Sequence, residues 1–494
     1  MSSNDFIDLL FPLPSPAPSN ACPERFPGIT YETKLALTRK LKDNHTQFHA
    51  FRNEQGLHNT MPHQLLALFA MGGSTPLYDA VYKKQEAELL TAFQSPEEIT
   101  AENYHKFLGN KDYYDAYLEY FHRVVFELGF AATLDEYLLS RGANYPETGA
   151  PRHMVNRLLA RSFHPMIYLG YGIEFGFPGL VAEGLAQMAV HPQEAPSLLL
   201  ASDFEIPEDA ADAPDLPPLQ AGFSSLTLNE RKRSLLTLKY LKGDNKFAVH
   251  AFTVLARVVK DDRFKCSALN LKPQEDLSEA ALLLEHVGKE FGSAIVEYAA
   301  DWLPDDSGAY ILESKVEELC WLGTLLYGIS GYQTDGFVAD YYLMHIVTSS
   351  IFLPSFLAYL SPASAIVLLR TFLRTTLAWY VARGRPAPPI RKFYAGTAPS
   401  PPPKPEGRLA DAVSANPWFP LIQQTLAHGD EHLPTLQRAL AHFAKVYGDR
   451  TKGSFEGLDG AELVDGTLFL RVAELTGKRM EKAGSTWDFG GFFQ

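Results

Sequence analysis

The sequence predicts an all-α protein, a single large helical body with long proline-rich surface loops. Apolar residues recur at the three- and four-residue spacing of an amphipathic helix through most of the chain. In "HQLLALFAMGG", for example, Leu65, Leu66 and Phe69 lie on one face. Sustained alternation of apolar and polar residues, which would indicate strands, is hard to find. The nearest approaches to a hairpin turn are "TDGF" and "LVDGTL".

The helical segments can be followed along the chain. The segment "PLYDAVYKKQEAELLTAF" opens with Pro76, which suits a first helical turn, and keeps an apolar side through Leu77, Val81 and Leu89. Further segments are, in order, "YYDAYLEYFHRVVFEL", "LNERKRSLLTLKYL", "KFAVHAFTVLARVV", "AALLLEHVGKEFGSAIVEYAADW", "ILESKVEELCWLGTLLYGI", "VADYYLMHIVTSSIFL" and "ASAIVLLRTFLRTTLAWYVAR". Additional helices are expected before the C-terminus.

Two proline-rich segments interrupt the helices and are predicted to be exposed loops. "SDFEIPEDAADAPDLPPLQ" gives a loop insertion near 202–220, and "RPAPPIRKFYAGTAPSPPPKPEG" gives a second near 386–407. Candidate functional histidines lie on both sides of the first insertion, which favours one domain over two. The predicted division is a flexible N-terminal segment, residues 1–30, followed by one helical domain, residues 31–494.

Composition and charge exclude several classes of protein. The chain has 494 residues and a net charge of -14, whereas a nucleic-acid-binding protein needs a basic face for phosphate contacts. Three widely spaced cysteines give neither a disulfide framework nor a thiolate zinc site. No signal-peptide pattern is found at the N-terminus, and the most apolar run is interrupted by Arg370 and Arg374. We therefore expect a cytoplasmic enzyme without a membrane span.

Sequence motifs for common cofactors are missing. "GYGIEFG" carries Gly170, Gly172 and Gly176, but their spacing is not GxGxxG, and no predicted strand precedes them. The chain contains no GxxxxGK[ST], GxSxG or HExxH motif. The sequence thus does not indicate a flavin or a Rossmann-type dinucleotide site.

Five of the fifteen histidines are candidate ligands: His58, His63, His164, His250 and His345. The last three each lie in an apolar helical stretch. An unpaired imidazole is costly to bury, and a metal ion would satisfy one of its nitrogens. Neutral imidazoles inside a helical bundle are a common way to hold iron, copper or zinc. These five histidines are therefore predicted metal ligands. The alternative is that each is a core histidine with one hydrogen bond, and their spacing does not decide between the two.

Other histidines and several neighbouring polar and aromatic residues are assigned different roles. Seven other histidines lie in polar or mixed sequence and are predicted to be at the surface or partly buried: His45, His49, His105, His122, His428, His432 and His442. Asp340 is close enough along the chain to help position His345. Tyr168 and Tyr171, three residues apart, are neighbours on a helix and either line an aromatic pocket or pack in the core.

Five stretches together resemble the questin oxidase-like family of fungal polyketide pathways. They are "HNTMPHQLLALFAMGG", "FHPMIYLGYGIEFGFPGLVAEGLAQMAVH", "GDNKFAVHAFTVLARVVKDDRF", "DYYLMHIVTSSIFLPSF" and "RGRP". The resemblance runs from His58 to Pro386, which is most of the chain, and its motifs are long and in order.

This resemblance implies an oxidase that opens a ring of a polycyclic aromatic polyketide, such as an anthraquinone, by Baeyer–Villiger-type chemistry. It also implies consumption of O2 and NADPH, and it suggests non-haem iron, Fe(2+), held by histidines and a carboxylated lysine. The matching ligand positions are His58 or His63, together with His164, His250 and His345.

The lysine of that ligand set has no clear counterpart in this sequence. The helical stretch "ASAIVLLRTFLRTTLAWYVARG" contains only arginines, and Lys315 in "ESKVEEL" is a weak substitute. Thr60 also stands where the resemblance leads us to expect a histidine. Both departures leave the complete coordination shell open.

The predicted catalytic residues are His164, His345, Tyr171 and Glu174, with Tyr171 and Glu174 as general acid or base. The expected partners are an aromatic polyketide and O2, with no nucleic acid and no membrane. Two alternatives stay open. One is a non-catalytic helical scaffold or small-molecule-binding protein in which the histidines are structural, and the other is a metal-dependent hydrolase.

Overall fold

Helices make up nearly all the regular structure in the described part of the chain, which confirms the all-α prediction. The computed structural model describes residues 3–53, 56–205, 248–269, 277–304, 311–399, 416–482 and 484–493. The predicted helix "LNERKRSLLTLKYL" and most of the two proline-rich insertions lie outside the described residues. Ala201–Phe204 forms a 3-10 turn at the start of the first insertion, and a helix at Ile390–Gly396 lies within the second.

The helices are numbered here in chain order. The first half of the chain contains α1 (Ser3–Leu10), α2 (Tyr31–Gln47), α3 (Met61–Ala70), α4 (Thr75–Gln85), α5 (Tyr114–Leu134), α6 (Arg141–Asn144), α7 (Met154–Phe175) and α8 (Pro178–Val190). The second half contains α9 (Ala251–Lys260), α10 (Cys266–Leu269), α11 (Leu277–Ala299), α12 (Leu312–Thr324), α13 (Tyr341–Ser350), α14 (Leu353–Leu357), α15 (Pro362–Ala382), α16 (Ile390–Gly396), α17 (Trp418–Ala427), α18 (Leu433–Tyr447) and α19 (Leu468–Met480).

The sheet structure in the described residues is one small hairpin. Strands β1 (Tyr332–Gln333) and β2 (Gly336–Phe337) pair antiparallel, with Tyr332 opposite Phe337. The hairpin falls on the "TDGF" signal, so that weak turn pattern does form a turn. Each strand has only two residues, which is why no alternating pattern accompanies it.

Capping side chains and prolines set where several helices begin. The Thr30 side chain accepts a hydrogen bond from the Thr33 backbone N–H at the start of α2. The carboxylate of Asp340 accepts from two backbone N–H groups at the start of α13. Pro178 and Pro362 occupy first-turn positions of α8 and α15, where a missing N–H costs no helical hydrogen bond. These local signals fix where α2, α8, α13 and α15 begin.

Helix α15 has the length and apolar character of a membrane span. Within the described residues it is the one helix that passes this test, and 89% of its most apolar window is buried inside the protein. Its Arg374 donates two hydrogen bonds to the carboxylate of Asp203. The apolar surface of α15 is thus covered by the protein itself, as expected for a core helix.

The N-terminal segment packs against the helical body. Leu10 and Phe11, at the end of α1, are each 1% exposed, and the Phe11 ring lies 4.9 Å from the ring of His45. The Ser15 backbone N–H donates to the Phe175 carbonyl at 2.9 Å. Apolar contacts therefore hold this part of the N-terminal segment in place, although the prolines of the segment indicate flexibility. The domain division at residue 30 stays a prediction.

Helices α7 and α8 form an antiparallel pair at the centre of the protein, joined by two residues. Glycines allow their backbones to approach closely: a Cβ on Gly172 would lie 2.6 Å from the Val181 nitrogen, and one on Gly184 would lie 2.8 Å from the Leu169 nitrogen. Backbone atoms cannot rotate away as a flexible side chain can. The two glycines therefore set the spacing of this helix pair.

Replacing Gly172 with alanine is expected to lower the free energy of unfolding by about 1–3 kcal/mol, because the added methyl group forces the two helices apart. Urea denaturation followed by circular dichroism measures this change. Gly490→Ala is the matched control, since an added Cβ at Gly490 meets nothing within 4 Å. Equal urea midpoints for the two variants would contradict the packing argument.

Candidate metal centre

A break in α7 presents the first histidine of the site. The backbone leaves the helical conformation at Ala160, and Arg161, Ser162 and Phe163 follow with φ of 50°, 58° and 64°. Left-handed conformations cost a residue with a side chain about 1–2 kcal/mol. His164 comes directly after this left-handed turn, and the next residue is a proline, which suits the start of the second half of α7.

Five further histidines come from four other parts of the chain. His58 and His63 lie just before and within α3, and His191 follows the last residue of α8. His345 lies in α13, all of whose residues are buried, and His432 is the residue before α18. The helical bundle thus brings together histidines that are distant in sequence.

Three of these histidines converge on a common point. One ring nitrogen from each of His164, His345 and His432 lies within 4.8 Å of the other two. The ring centroids are 4.7 Å apart for His164 and His345, and 5.1 Å apart for His345 and His432. Since metal–imidazole bonds are about 2.0–2.1 Å long, modest side-chain rotations would let all three nitrogens bind one ion. We call these three residues the histidine triad.

Hydrogen bonds orient two rings of the triad. Nδ1 of His164 lies 2.7 Å from the Arg161 carbonyl oxygen, and Nδ1 of His345 lies 2.7 Å from the Tyr341 carbonyl oxygen. A carbonyl only accepts, so each Nδ1 carries the proton and donates it. The lone pair of each neutral ring is then on Nε2. This is the usual arrangement of a metal-binding imidazole.

Burial keeps these rings neutral. It lowers the pKa of His164 to about 3, and the pKa of His345 is held well below its ordinary value by burial and by the neighbouring histidines. The pKa values of His58, His63 and His191 are also lowered, first by burial. Near neutral pH these imidazoles therefore carry no proton that would compete with a metal ion.

The other three histidines border the triad. The His58 ring stacks on that of His164 with centroids 4.0 Å apart, while its Nε2 lies 2.9 Å from Nε2 of His191. His63 lies further out, with its ring 6.0 Å from that of His164. In this geometry the His58–His191 hydrogen bond occupies one nitrogen of each ring. Nε2 of His63 is instead buried without a hydrogen-bond partner.

The donor set fits a metal ion. Nε2 of His432 is buried without a hydrogen-bond partner, as is that of His63, and such orphaned nitrogens are costly unless something binds them. Three imidazoles suit iron, copper or zinc, and they leave coordination positions open for other ligands. His164, His345 and His432 are the residues that would hold the ion.

Aromatic side chains surround the triad. The Tyr341 ring lies 4.4 Å from His345 and 5.3 Å from His432, and the Phe489 ring packs 4.8 Å from Tyr341. On the other side, the Tyr168 ring lies 4.4 Å from His63. These rings give the centre an apolar boundary.

The predicted acid or base residues have different surroundings. The Tyr171 ring lies 5.7 Å from that of His63, and burial raises the pKa of its hydroxyl. Glu174 is ten residues beyond His164, about 15 Å along the helix axis. Its carboxylate pairs with the buried guanidinium of Arg438. The structure therefore places Tyr171 beside the histidines and gives Glu174 an ion pair.

His250 and Lys315 lie in a separate polar cluster. Nδ1 of His250 accepts a hydrogen bond from the Phe252 backbone N–H and so caps the start of α9. Nζ of Lys315 donates to Glu318 at 2.9 Å and to the Val249 carbonyl at 3.1 Å. The structure does not bring His250 to the triad. Lys315 would have to break its hydrogen bonds to Glu318 and to Val249 before it could bind a metal ion.

Sequence reasoning missed His432 and His191. His432 is preceded by Asp430 and Glu431, and this polar sequence suggested a surface position. A local signal does exist, because His164, His191 and His432 each precede a proline by one or two residues at a helix boundary. Four of the five predicted ligands, His58, His63, His164 and His345, do lie together.

Comparison with known proteins places the chain in a family. A model of the questin oxidase-like family matches residues 57–440. Baeyer-Villiger oxidase ptaJ of Pestalotiopsis fici is 24% identical over 465 residues, which cover 89% of this chain and 87% of that protein. The questin oxidase of Aspergillus fumigatus is 25% identical, with coverage of 89% and 87%. Oxidoreductase AflY of Aspergillus parasiticus is 24% identical, with coverage of 92% and 82%. Since the family match covers well over half of its residues, this chain belongs to the questin oxidase-like family.

Proposed function

We propose that this protein is an oxidase that cleaves a ring of a polycyclic aromatic polyketide by Baeyer–Villiger-type oxygen insertion, with non-haem iron bound by His164, His345 and His432. The class of enzyme, an oxidase of Baeyer–Villiger type, follows from the family and from the names of its relatives. The iron, the use of O2 and NADPH, the aromatic substrate and a cytoplasmic location are parts of the proposal.

The convergence of the histidine triad carries this proposal. Three buried or half-buried imidazoles from three helical regions have nitrogens within 4.8 Å of one another. Nε2 of His432 is in addition buried without a hydrogen-bond partner, and an ion bound there would satisfy it. A bound ion explains both the convergence and the orphaned nitrogen.

The reaction has a definite balance. One atom of O2 is inserted between a ring carbon and the adjacent carbonyl carbon, which gives an ester and opens or expands the ring. The other oxygen atom is reduced to water by two electrons from NADPH and two protons. When bound, the iron would activate O2 beside the substrate.

The side chains of this chain would do the remaining work. The carbonyls of Arg161 and Tyr341 hold the Nδ1 protons of His164 and His345, so that both Nε2 lone pairs are directed to the ion. The Tyr341 ring would orient a flat substrate next to the triad. The surrounding apolar side chains exclude water, which protects reactive species from side reactions. Tyr171 carries the proton on its hydroxyl at neutral pH, as tyrosines ordinarily do, and it can therefore donate a hydrogen bond; burial raises its pKa further.

Metal analysis and oxygen consumption test this function together. Protein purified without chelator is expected to contain iron in stoichiometric amount, and to consume O2 when NADPH and a hydroxyanthraquinone are supplied. Removal of the iron with a chelator should abolish oxygen uptake, and ferrous iron should restore it.

The other outcomes identify the alternatives. Bound metal with no oxygen uptake over a panel of hydroxyanthraquinones, but with ester hydrolysis, would indicate a hydrolase. Absence of iron, copper and zinc, with no gain of activity when they are added, would indicate a scaffold or binding protein. Either result would overturn the proposal.

A further inference from the structure

The left-handed turn before His164 is a strained feature that local sequence does not explain. Arg161, Ser162 and Phe163 all have positive φ, although none of them is glycine. Strain of this kind persists only where the surrounding structure holds it, and it is concentrated at functional sites. A contact that fixes the turn is therefore expected, and its residue should influence His164.

Glu194 makes that contact. One carboxylate oxygen accepts the Arg161 backbone N–H at 2.8 Å, and the other lies 3.3 Å from Nε of the same arginine. The carboxylate is 5% exposed, so water offers little competition for the hydrogen bond and the ion pair that it makes with Arg161. Glu194 is itself clamped to α7, because its backbone N–H donates to Asn156 at 3.0 Å and its carbonyl accepts from the Asn156 amide.

Arg161 connects Glu194 to His164. Its N–H is bound by the carboxylate, and its carbonyl oxygen accepts the Nδ1 proton of His164 at 2.7 Å. The orientation of this residue thus sets both the direction of the imidazole and its tautomer. A carbonyl turned away would leave the Nδ1 proton without an acceptor, and the ring could rotate or exchange its proton to Nε2.

We propose that Glu194 is a positioning residue for the metal centre: by holding the left-handed turn, it keeps Nε2 of His164 directed at the ion. This inference rests on the proposed metal site. It assigns a role to a residue outside the histidine cluster, one that touches neither the ion nor the substrate.

Cobalt binding tests this role independently of oxidase activity. Co(2+) added to metal-free protein reports affinity by titration, and its visible absorption bands report the number and geometry of ligands. Glu194→Leu removes the acceptor and is expected to weaken Co(2+) binding 10–100-fold, the usual effect of losing a residue that orients a ligand. Its absorption bands should also change. Glu194→Gln keeps an oxygen that can accept the Arg161 N–H, and it should restore most of the affinity and the wild-type spectrum.

Asp203 supplies the matched control. Its carboxylate is 3% exposed, pairs with Arg374 at 2.6 Å and accepts the Leu200 backbone N–H at 2.9 Å. Asp203→Leu therefore removes a similar buried carboxylate from a place with no histidine contact. It should lower thermal stability as Glu194→Leu does, yet leave Co(2+) affinity and spectrum unchanged.

Each outcome of the Co(2+) titrations decides whether Glu194 positions His164. Glu194→Leu protein with wild-type affinity and spectrum would overturn the positioning role while leaving the metal site standing. Equal loss of affinity in Asp203→Leu would also overturn it, since the effect would then be general destabilisation. Wild-type protein that binds no Co(2+) would overturn the metal site and this inference with it. Should Glu194→Leu fail to fold, Glu194→Asp gives the decision: its shorter side chain keeps the charge but not the reach, so wild-type binding by that variant would contradict the proposal.

Discussion

Replacing His432 with alanine is expected to remove the bound metal and the oxidase activity together. Losing a residue that only orients a ligand weakens metal binding 10–100-fold, so loss of a ligand itself should weaken it by more than about 100-fold. His432 lies outside the helices, just before α18, and its side chain is 13% exposed, so its truncation interrupts no helix. The folded structure should therefore survive, which separates loss of metal from loss of fold. Metal content of the purified variant, with circular dichroism as a check of folding, measures this.

His250→Ala is the informative comparison for His432→Ala. The sequence predicted His250 as a ligand, whereas the structure makes it a helix cap. Losing such a cap costs about 1 kcal/mol of stability and should leave metal content unchanged. If His250→Ala lost its metal while His432→Ala kept it, the triad would be wrong and the set of ligands predicted from the sequence would be favoured.

The fold could be predicted because its signal is distributed along the chain. Helical spacing of apolar residues recurs in many segments, and the errors at individual boundaries do not change the class of the fold. The short hairpin at Tyr332–Phe337 was indicated only by its turn residues, since two-residue strands cannot show alternation. Local information is sufficient for elements that local interactions specify.

The candidate site depends on contacts that local sequence does not contain. His432 lies in polar sequence, yet Tyr341 and Trp487, from distant parts of the chain, pack around its ring. His250 lies in apolar sequence, yet its ring caps a helix. The left-handed turn at Arg161 is likewise specified by a glutamate 33 residues away. Apolar neighbours in the sequence therefore indicate burial of a histidine only on average.

Replacing Asp340 with alanine should have the largest effect on stability, a loss of about 3–5 kcal/mol in the free energy of unfolding. Asp340 and Arg383 are both 0% exposed, and the guanidinium donates Nε at 3.0 Å and an Nη at 2.9 Å to one carboxylate oxygen. Removing Asp340 leaves the charge of Arg383 buried and unpaired. The free-energy cost of that unpaired charge accounts for the expected loss of stability. The variant also loses the cap of α13, the helix that carries His345. Urea denaturation measures the loss.

A double-mutant cycle shows whether the unpaired charge causes this loss. Arg383→Met should also destabilise the protein by several kcal/mol, but the double variant Asp340→Ala, Arg383→Met should cost much less than the sum, because no buried charge remains unpaired. Arg391→Ala is the control for ion pairs in general: it breaks exposed pairs with Asp459 and Glu462, and solvent screening makes the contribution of such pairs to stability small. Additive losses in the cycle would contradict this account. They would assign the stability to the helix cap and to packing of the Arg383 side chain against Tyr342, whose ring centroid lies 4.5 Å from the guanidinium.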